Sequence, residues 1–395
     1  MKLQGPLTGI TVLAVEHAIA APLCTRQLAE LGARVIKVER RQEGDFARSY
    51  DERVKGLSSH FVWTNRSKQS LTLDLKHPRV GEILSPLIAA SDILVQNLAP
   101  KAADKMGLSF DALHRLHPKL IVCNISGYGE SGPYQNKKAY DLLVQAEAGF
   151  LSVTGTQEQE VKSGISIADI AAGTQAHAAI LAALIQRSQT GLGSRIDISM
   201  LEAMTEWMGF PLNYAYDGAL PPLRTGSDHA SIYPYGLFTT GDHKPLLIGI
   251  QNQREWERFC THVLSEAELV TDPRFSTNIL RSENREALKK IIQTKFDQLN
   301  FEALTSLLDE AQIAFARVNT MAEVWDHPQL TALRRFVDID TPNGQVKSLL
   351  PPANNSTFDA ALGPVPALGQ HTHSILAELG FDSGAIANLV KDKVV

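Results

Sequence analysis

Ile10-Thr11-Val12-Leu13-Ala14-Val15, then Ala21 to Leu31 with apolar residues at helical spacing, then Arg34-Val35-Ile36-Lys37-Val38-Glu39: this run decides the fold. A short apolar strand, a helix and a second short apolar strand form the unit of a parallel pair with a crossover helix. The pattern continues outward. Leu71-Thr72-Leu73-Asp74-Leu75, Asp92-Ile93-Leu94-Val95-Gln96 and Leu120-Ile121-Val122-Cys123-Asn124-Ile125 read as three more strands, separated by helical segments such as Val80 to Ala90. Strands alternating with helices predict an open α/β sheet, and ligands of such sheets gather beyond the carboxyl ends of the strands.

The chain has 395 residues, enough for two domains with real cores. Hydrophobic residues make up 44% and charged residues 21%, which is ordinary for a soluble globular protein. A formal net charge of −5 argues against a dedicated nucleic-acid surface. Cys24, Cys123 and Cys260 lie far apart without metal spacing and read as reduced, buried thiols. The N-terminus has a turn where a signal peptide needs an apolar core, and no later run is expected to span a membrane. A cytosolic (cytoplasmic) protein with no membrane and no nucleic-acid partner is the expectation.

The loop after the first strand, Glu16-His17-Ala18-Ile19-Ala20-Ala21-Pro22, contains no glycine, so the dinucleotide fingerprint is absent where it would have to stand. No Walker A sequence, H-E-x-x-H or C-x-x-C occurs, which leaves no metal expected. Positive charge does collect in loops that follow or flank strands: Arg40-Arg41, Arg48, Arg66, Lys68, Lys76, Lys105 and Lys137-Lys138. Singly each reads as a solvated side chain; together they suit a phosphate-bearing ligand. Gly127-Tyr128-Gly129-Glu130-Ser131-Gly132-Pro133 is a loop that either merely connects or covers a ligand closely.

Ser163-Gly164-Ile165-Ser166-Ile167-Ala168-Asp169-Ile170-Ala171-Ala172-Gly173 leads into an apolar run to Thr190, closed by Gly191-Leu192-Gly193. That predicts a buried helix with Asp169 in its first turn. Ser166-x-x-Asp169 fits a capping box, the commoner role; the alternative is a carboxylate nucleophile, which forms covalent intermediates. After Ile196-Asp197-Ile198-Ser199-Met200 a helical stretch runs to about Tyr216, and Gly218 with Pro221-Pro222 marks a boundary. Residues 226–333 read as a smaller α+β domain with a strand pair at Gly236–Thr240 and Leu246–Ile250. The expected division is a large α/β domain over 1–200, a linker over 201–225, the small domain over 226–333, and a linker and C-terminal return over 334–395.

The ordered motifs resemble family III coenzyme A transferases. The carriers are Gly32-Ala33-Arg34-Val35-Ile36-Lys37-Val38-Glu39, Gly44-Asp45, Asn65-Arg66-Ser67-Lys68, Leu73-Asp74-Leu75-Lys76 and Gln96-Asn97. Gly127-Tyr128-Gly129, Tyr140-Asp141, Ala168-Asp169 and Leu368-Gly369-Gln370-His371-Thr372 complete the set over nearly the whole chain. The resemblance implies a Rossmann-like large domain, a small domain, a C-terminal segment returning to the large domain, and two chains interlocked as a homodimer. It makes Asp169 the nucleophile. It places Ile19, Ala20, Arg40, Leu73, Lys76, Asn97, Leu98, Lys105, Lys138, Tyr140 and Asp141 against CoA, which is a substrate rather than a tightly bound cofactor.

What the resemblance implies of the reaction is transfer of CoA from an acyl-CoA, succinyl-CoA foremost, to a dicarboxylic acid such as itaconate, mesaconate, malate, citramalate or glutarate. Arg48, Arg66 and His229 are candidates for the acid's second carboxylate, with Gly129 beside the substrate. No tetraglycine loop occurs near Ile248-Gly249-Ile250, unlike oxalate-using members. Three alternatives stand: a 2-methylacyl-CoA racemase, intramolecular CoA transfer within one diacid, and a non-catalytic acyl-CoA-binding protein. Tyr140 stands where racemases carry histidine, and a phenol titrating at about 10 is a poor base at neutral pH.

Overall fold

A computed structural model describes residues 5–99 and 101–395. It divides into two compact units: one holds residues up to Ala148 with Ser163–Met208 and Leu330–Val395, the other Gly149–Lys162 with Gly209–Gln329. This differs from the expected division at several places: the expected linker 201–225 is split between the units after Met208, residues 149–162 fall in the second unit and residues 330–333 in the first. Residues 201–208 stay with the first unit because Leu201 donates its backbone N–H to the Gly127 carbonyl at 3.0 Å. Residues 149–162 join the second, where Gly226 N–H donates to the Gly155 carbonyl at 2.7 Å and Arg224 Nε to the Thr156 carbonyl.

The first unit is built on six parallel strands: β1 (Thr11–Val15), β2 (Arg34–Glu39), β3 (Lys68–Thr72), β4 (Ile93–Gln96), β5 (Ile121–Ser126) and β6 (Arg195–Ser199). Their order is β3-β2-β1-β4-β5-β6, the doubly wound arrangement. Val12 is therefore in register with Val35 on one side and Ile93 on the other. The chain reverses direction across the sheet between β1 and β4, and the crevice at such a point is where ligands bind. Leu13, Val15, Ile36, Val38, Leu94 and Val122 fill one core, joined by Ile375, Leu376, Ile386 and Leu389 from the chain's end.

One strand departs from expectation. The third strand begins at Lys68, three residues before the apolar run that marked it, because the buried side chains of Lys68 and Ser70 are satisfied by polar partners. β6 lies at the sheet edge, where Arg195 and Asp197 are exposed.

The long helix spans Ile167–Thr190 and stops at Gly191, in the left-handed region at φ 73°. It is buried on one face only: Ala168, Ala171, Ala172, Gly173, Ala176, Ile180 and Ala183 are covered, whereas Ile185 is exposed. By length and composition it is apolar enough to cross a membrane, contrary to the sequence expectation; core helices meet the same criterion. Its covered face packs on the helix Ala20–Glu30. Gly173 makes that approach possible, since a Cβ there would stand 2.5 Å from the Ala20 carbonyl oxygen.

The second unit carries an antiparallel sheet of β7 (Tyr235–Thr239), β8 (Pro245–Gly249) and β9 (Ala314–Arg317), the last not anticipated. Phe238, Trp256, Phe259 and Phe296 centre its core. In the first unit, β10 (Phe336–Ile339) and β11 (Val346–Leu349) form a hairpin against Phe61 and Val62. All three cysteines are free and buried.

Candidate active site

Asn97, just past β4, joins the two loops at the switch point: its Oδ1 accepts from His17 N–H at 3.0 Å and its Nδ2 donates to the His17 carbonyl at 2.9 Å. Beneath the His17 loop lies a buried ion network. Lys37 Nζ is 2.8 Å from Asp45 Oδ2 and 3.3 Å from Glu16 Oε1, and Lys68 Nζ is 2.7 Å from Glu16 Oε1. Arg48 clasps Glu39 with two bonds of 2.8 Å. Burial alone would raise the carboxyls of Glu16 and Asp45, but the ammonium of Lys68 for the first and of Lys37 for both outweighs it and holds them low. Lys68 is pushed down to about 8 by burial, with Glu16 opposing the shift. Asp45 Oδ1 also accepts from Ala18 N–H at 3.0 Å, so the network fixes the loop that leads into Ile19 and Ala20.

Asp169 faces this loop from the long helix, near enough to the Ala20 backbone N–H for that group to favour its charged form. The capping box expected around it does not form: Ser166 makes no side-chain cap. Asp141 caps the helix instead, its Oδ1 accepting from Ala168 N–H at 2.8 Å and Asp169 N–H at 3.3 Å. Gln145, fully buried, holds Asp141 in turn: its Nε2 donates to Asp141 Oδ2 at 2.6 Å while its Oε1 accepts Ser163 N–H at 2.9 Å. Relieved of capping, the Asp169 carboxyl is pushed up to about 7, first by burial and then by the Asp141 charge, against the Ala20 N–H.

Asp169 lines a cavity of about 760 Å3 with Ile19, Ala20, Asn97, Leu98, Lys138, Tyr140, Asp141 and Gly129, all expected site residues. Gly127 folds against Ala139, where a Cβ would stand 2.1 Å from that side chain, and so brings the glycine loop to this wall. A neighbouring cavity of about 700 Å3 shares His17, Phe46 and Leu98 and is lined by Arg40, Leu73 and Lys76. Lys105, exposed in the helix Ala102–Lys105, lines neither.

The candidates for a second carboxylate fare differently. Arg48 is committed to Glu39 and stacked 3.7 Å over Phe61. Arg66 is buried on Glu30 and Ser348. His229 belongs to the second unit, where its Nδ1 accepts from Ser231 and Ile232 N–H groups and its ring stacks on Tyr235. Sequence reading missed His17, Phe46, Tyr50 and His60, which all line the Asp169 cavity. Their only signal was aromatic and histidine content in the segments after β1 and β2, His60 lying in the helix Ser59–Asn65. Among the described residues no cluster of three or more His, Cys, Asp or Glu side chains could hold a metal ion.

Comparison with known proteins accords with this geometry. The model of CoA-transferase family III matches residues 7–372. A mouse (Mus musculus) succinyl-CoA:glutarate CoA-transferase is 34% identical over 99% of this chain and 90% of its own length. A Chloroflexus aurantiacus succinyl-CoA–D-citramalate CoA-transferase is 30% identical over 99% of this chain and 98% of its own. The crystal structure of a CAIB/BAIF family protein from Brucella suis superposes with a TM-score of 0.84 at 32% identity, covering 95% of this chain and all of that one. With a doubly wound sheet, a cavity at its switch point and these relatives, the chain belongs to CoA-transferase family III.

Proposed function

We propose that the protein moves CoA from succinyl-CoA to a short dicarboxylic acid through covalent intermediates on Asp169. One observation carries the reading: Asp169, not used as a helix cap, opens into a cavity at the switch point with Ile19, Ala20, Asn97, Lys138 and Tyr140. The Asp169 carboxylate attacks the thioester carbon, expelling CoA thiolate and leaving an aspartyl–succinyl anhydride. The thiolate attacks the aspartyl carbonyl, releasing succinate and leaving an aspartyl-CoA thioester. The acceptor carboxylate then attacks that carbonyl, expels the thiolate again, and the thiolate takes the acyl group of the new anhydride. Asp169 is regenerated and no redox change occurs. Arg40 and Lys76, on the neighbouring cavity, suit the CoA phosphates.

The acceptors favoured are C4–C5 diacids, since the relatives named for glutarate and citramalate act on such acids. The test is a panel of mono- and dicarboxylic acceptors with succinyl-CoA, read by mass spectrometry of the CoA esters. Turnover with monocarboxylates and none with diacids would reject the assignment.

One observation favours a second reading, 2-methylacyl-CoA racemisation: a carboxyl near 7 is tuned as an α-proton base. Solvent deuterium entering the α-carbon without any acceptor acid would establish it. We also read the protein as an interlocked homodimer. Support comes from Trp207, Phe210, Leu212, Tyr216, Leu220 and Leu223, large apolar side chains left exposed in one stretch. Sedimentation equilibrium at a monomer mass would reject it.

A further inference from the structure

A dicarboxylic acid brings two charges to the site and uses only one. The idle carboxylate has to meet a cation or donor, because an unpaired charge away from water is costly. Resting on the transfer reaction proposed above, we infer that His60 receives that second carboxylate and sets the preference for diacids.

Six basic side chains line the Asp169 cavity: His17, His60, Lys101, Lys137, Lys138 and Arg195. Lys137 pairs with Glu147 and lies over the Tyr134 ring, and Arg195 is 2.7 Å from Asp197. Lys101 and Lys138 are exposed to solvent, where a phosphate suits them better than a small acid. Burial pushes the His17 imidazole down, toward its neutral form.

His60 differs from all five. Its Nδ1 is 3.4 Å from Asp51 Oδ2, and Asp51 is itself fixed by the N–H groups of Arg53 and Ser59. With Nδ1 turned to a carboxylate, the ring leaves Nε2 without a protein partner among the described residues. When both of its nitrogens carry a proton, such a ring donates a charge-assisted bond to an anionic oxygen. His60, Tyr50 and the reacting carboxyl of Asp169 line the same cavity. Tyr50 packs edge-on against His60 at 5.3 Å, and Tyr50 lies within the field of the Asp169 charge. A short diacid spanning this wall places one carboxylate at Asp169 and the other at Nε2.

The experiment compares the best diacid of the acceptor panel with its monoamide, which keeps the shape and loses the charge. Saturating succinyl-CoA is the donor. In a double-displacement reaction kcat/KM for the acceptor is independent of the donor half-reaction, so succinate's own carboxylate does not confuse the result. Wild type is expected to prefer the diacid. His60→Gln is expected to lower kcat/KM for the diacid by about 10- to 100-fold, the worth of a hydrogen bond to a charged group, while the monoamide changes little. His60→Arg, which restores a cation, is expected to recover much of the ratio. Equal loss with both acceptors marks a structural role and overturns the inference, as does an unchanged ratio or a wild type without preference. Absence of any CoA transfer by wild type would reject the proposed reaction itself, and is seen before any variant is made.

Discussion

The Asp141 carboxylate accepts the backbone N–H of Ala168 at 2.8 Å, capping the long helix from outside it. This separates two properties that a single substitution usually confounds. Asp141→Asn keeps an oxygen acceptor for the helix and removes the charge beside Asp169. The Asp169 carboxyl is expected to titrate below about 7 in that variant, since one of the two causes of its rise is gone. The acidic limb of the kcat/KM profile then moves to lower pH. Asp141→Ala also loses the cap and is expected to cost about 1 kcal/mol of stability. A profile unmoved in Asp141→Asn would show that burial alone sets the acidity.

Asp169→Asn is expected to abolish transfer, by roughly three orders of magnitude or more as for other nucleophile deletions. Incubation with succinyl-CoA should give a covalent adduct in wild type and none in the variant, by intact-protein mass spectrometry.

The same variant makes a prediction about stability. Asp169's folded-state carboxyl is raised to about 7, above the ordinary value of about 4 in an unfolded chain. The folded protein thus holds the proton longer, and stability is lost as pH rises between those two values. Asp169→Asn removes that loss. Its Tm should exceed wild type by a margin that grows from pH 4 to pH 7 and is constant above; thermal melts at pH 4, 6 and 8 test it.

Lys37 lies between Asp45 and Glu16, all three side chains without exposure. Lys37→Met removes the cation and leaves two carboxylates poorly compensated, which is expected to cost about 3–5 kcal/mol. Urea unfolding measures this directly; a loss under 1 kcal/mol would mean that water enters the network.

Gly173→Val places a branched side chain against the Ala20 carbonyl, 2.5 Å from where its Cβ must sit. Overpacking of this kind costs about 1–3 kcal/mol. Because Ala20 lines the Asp169 cavity, the variant should lose activity at temperatures where it remains folded.

The sheet was legible because β1, β2, β4 and β5 are short apolar runs, the pattern that burial on both faces requires. β3 was misplaced because Lys68 and Ser70 are polar yet buried, and their partners Glu16 and Glu39 lie far back in the chain. The same cause misled the reading of Arg48 and Arg66. Charge in a loop suggested an anion, whereas each is matched by a buried glutamate that spacing alone does not reveal. Asp169 could be singled out from its helix, but its release from capping depends on Asp141 arriving from another element.

The network under the His17 loop contains Glu16, Glu39 and Asp45 against Lys37, Lys68 and Arg48, an even match of charge. Altering any one of them strands a partner, so viable change there has to come in compensating pairs. Tyr50 and His60, which line the Asp169 cavity, stand outside this network, His60 pairing with Asp51 alone among the described residues. New acceptor preferences can therefore be sought by single substitutions on their wall, leaving the charged floor as a chassis that is not to be edited piecemeal.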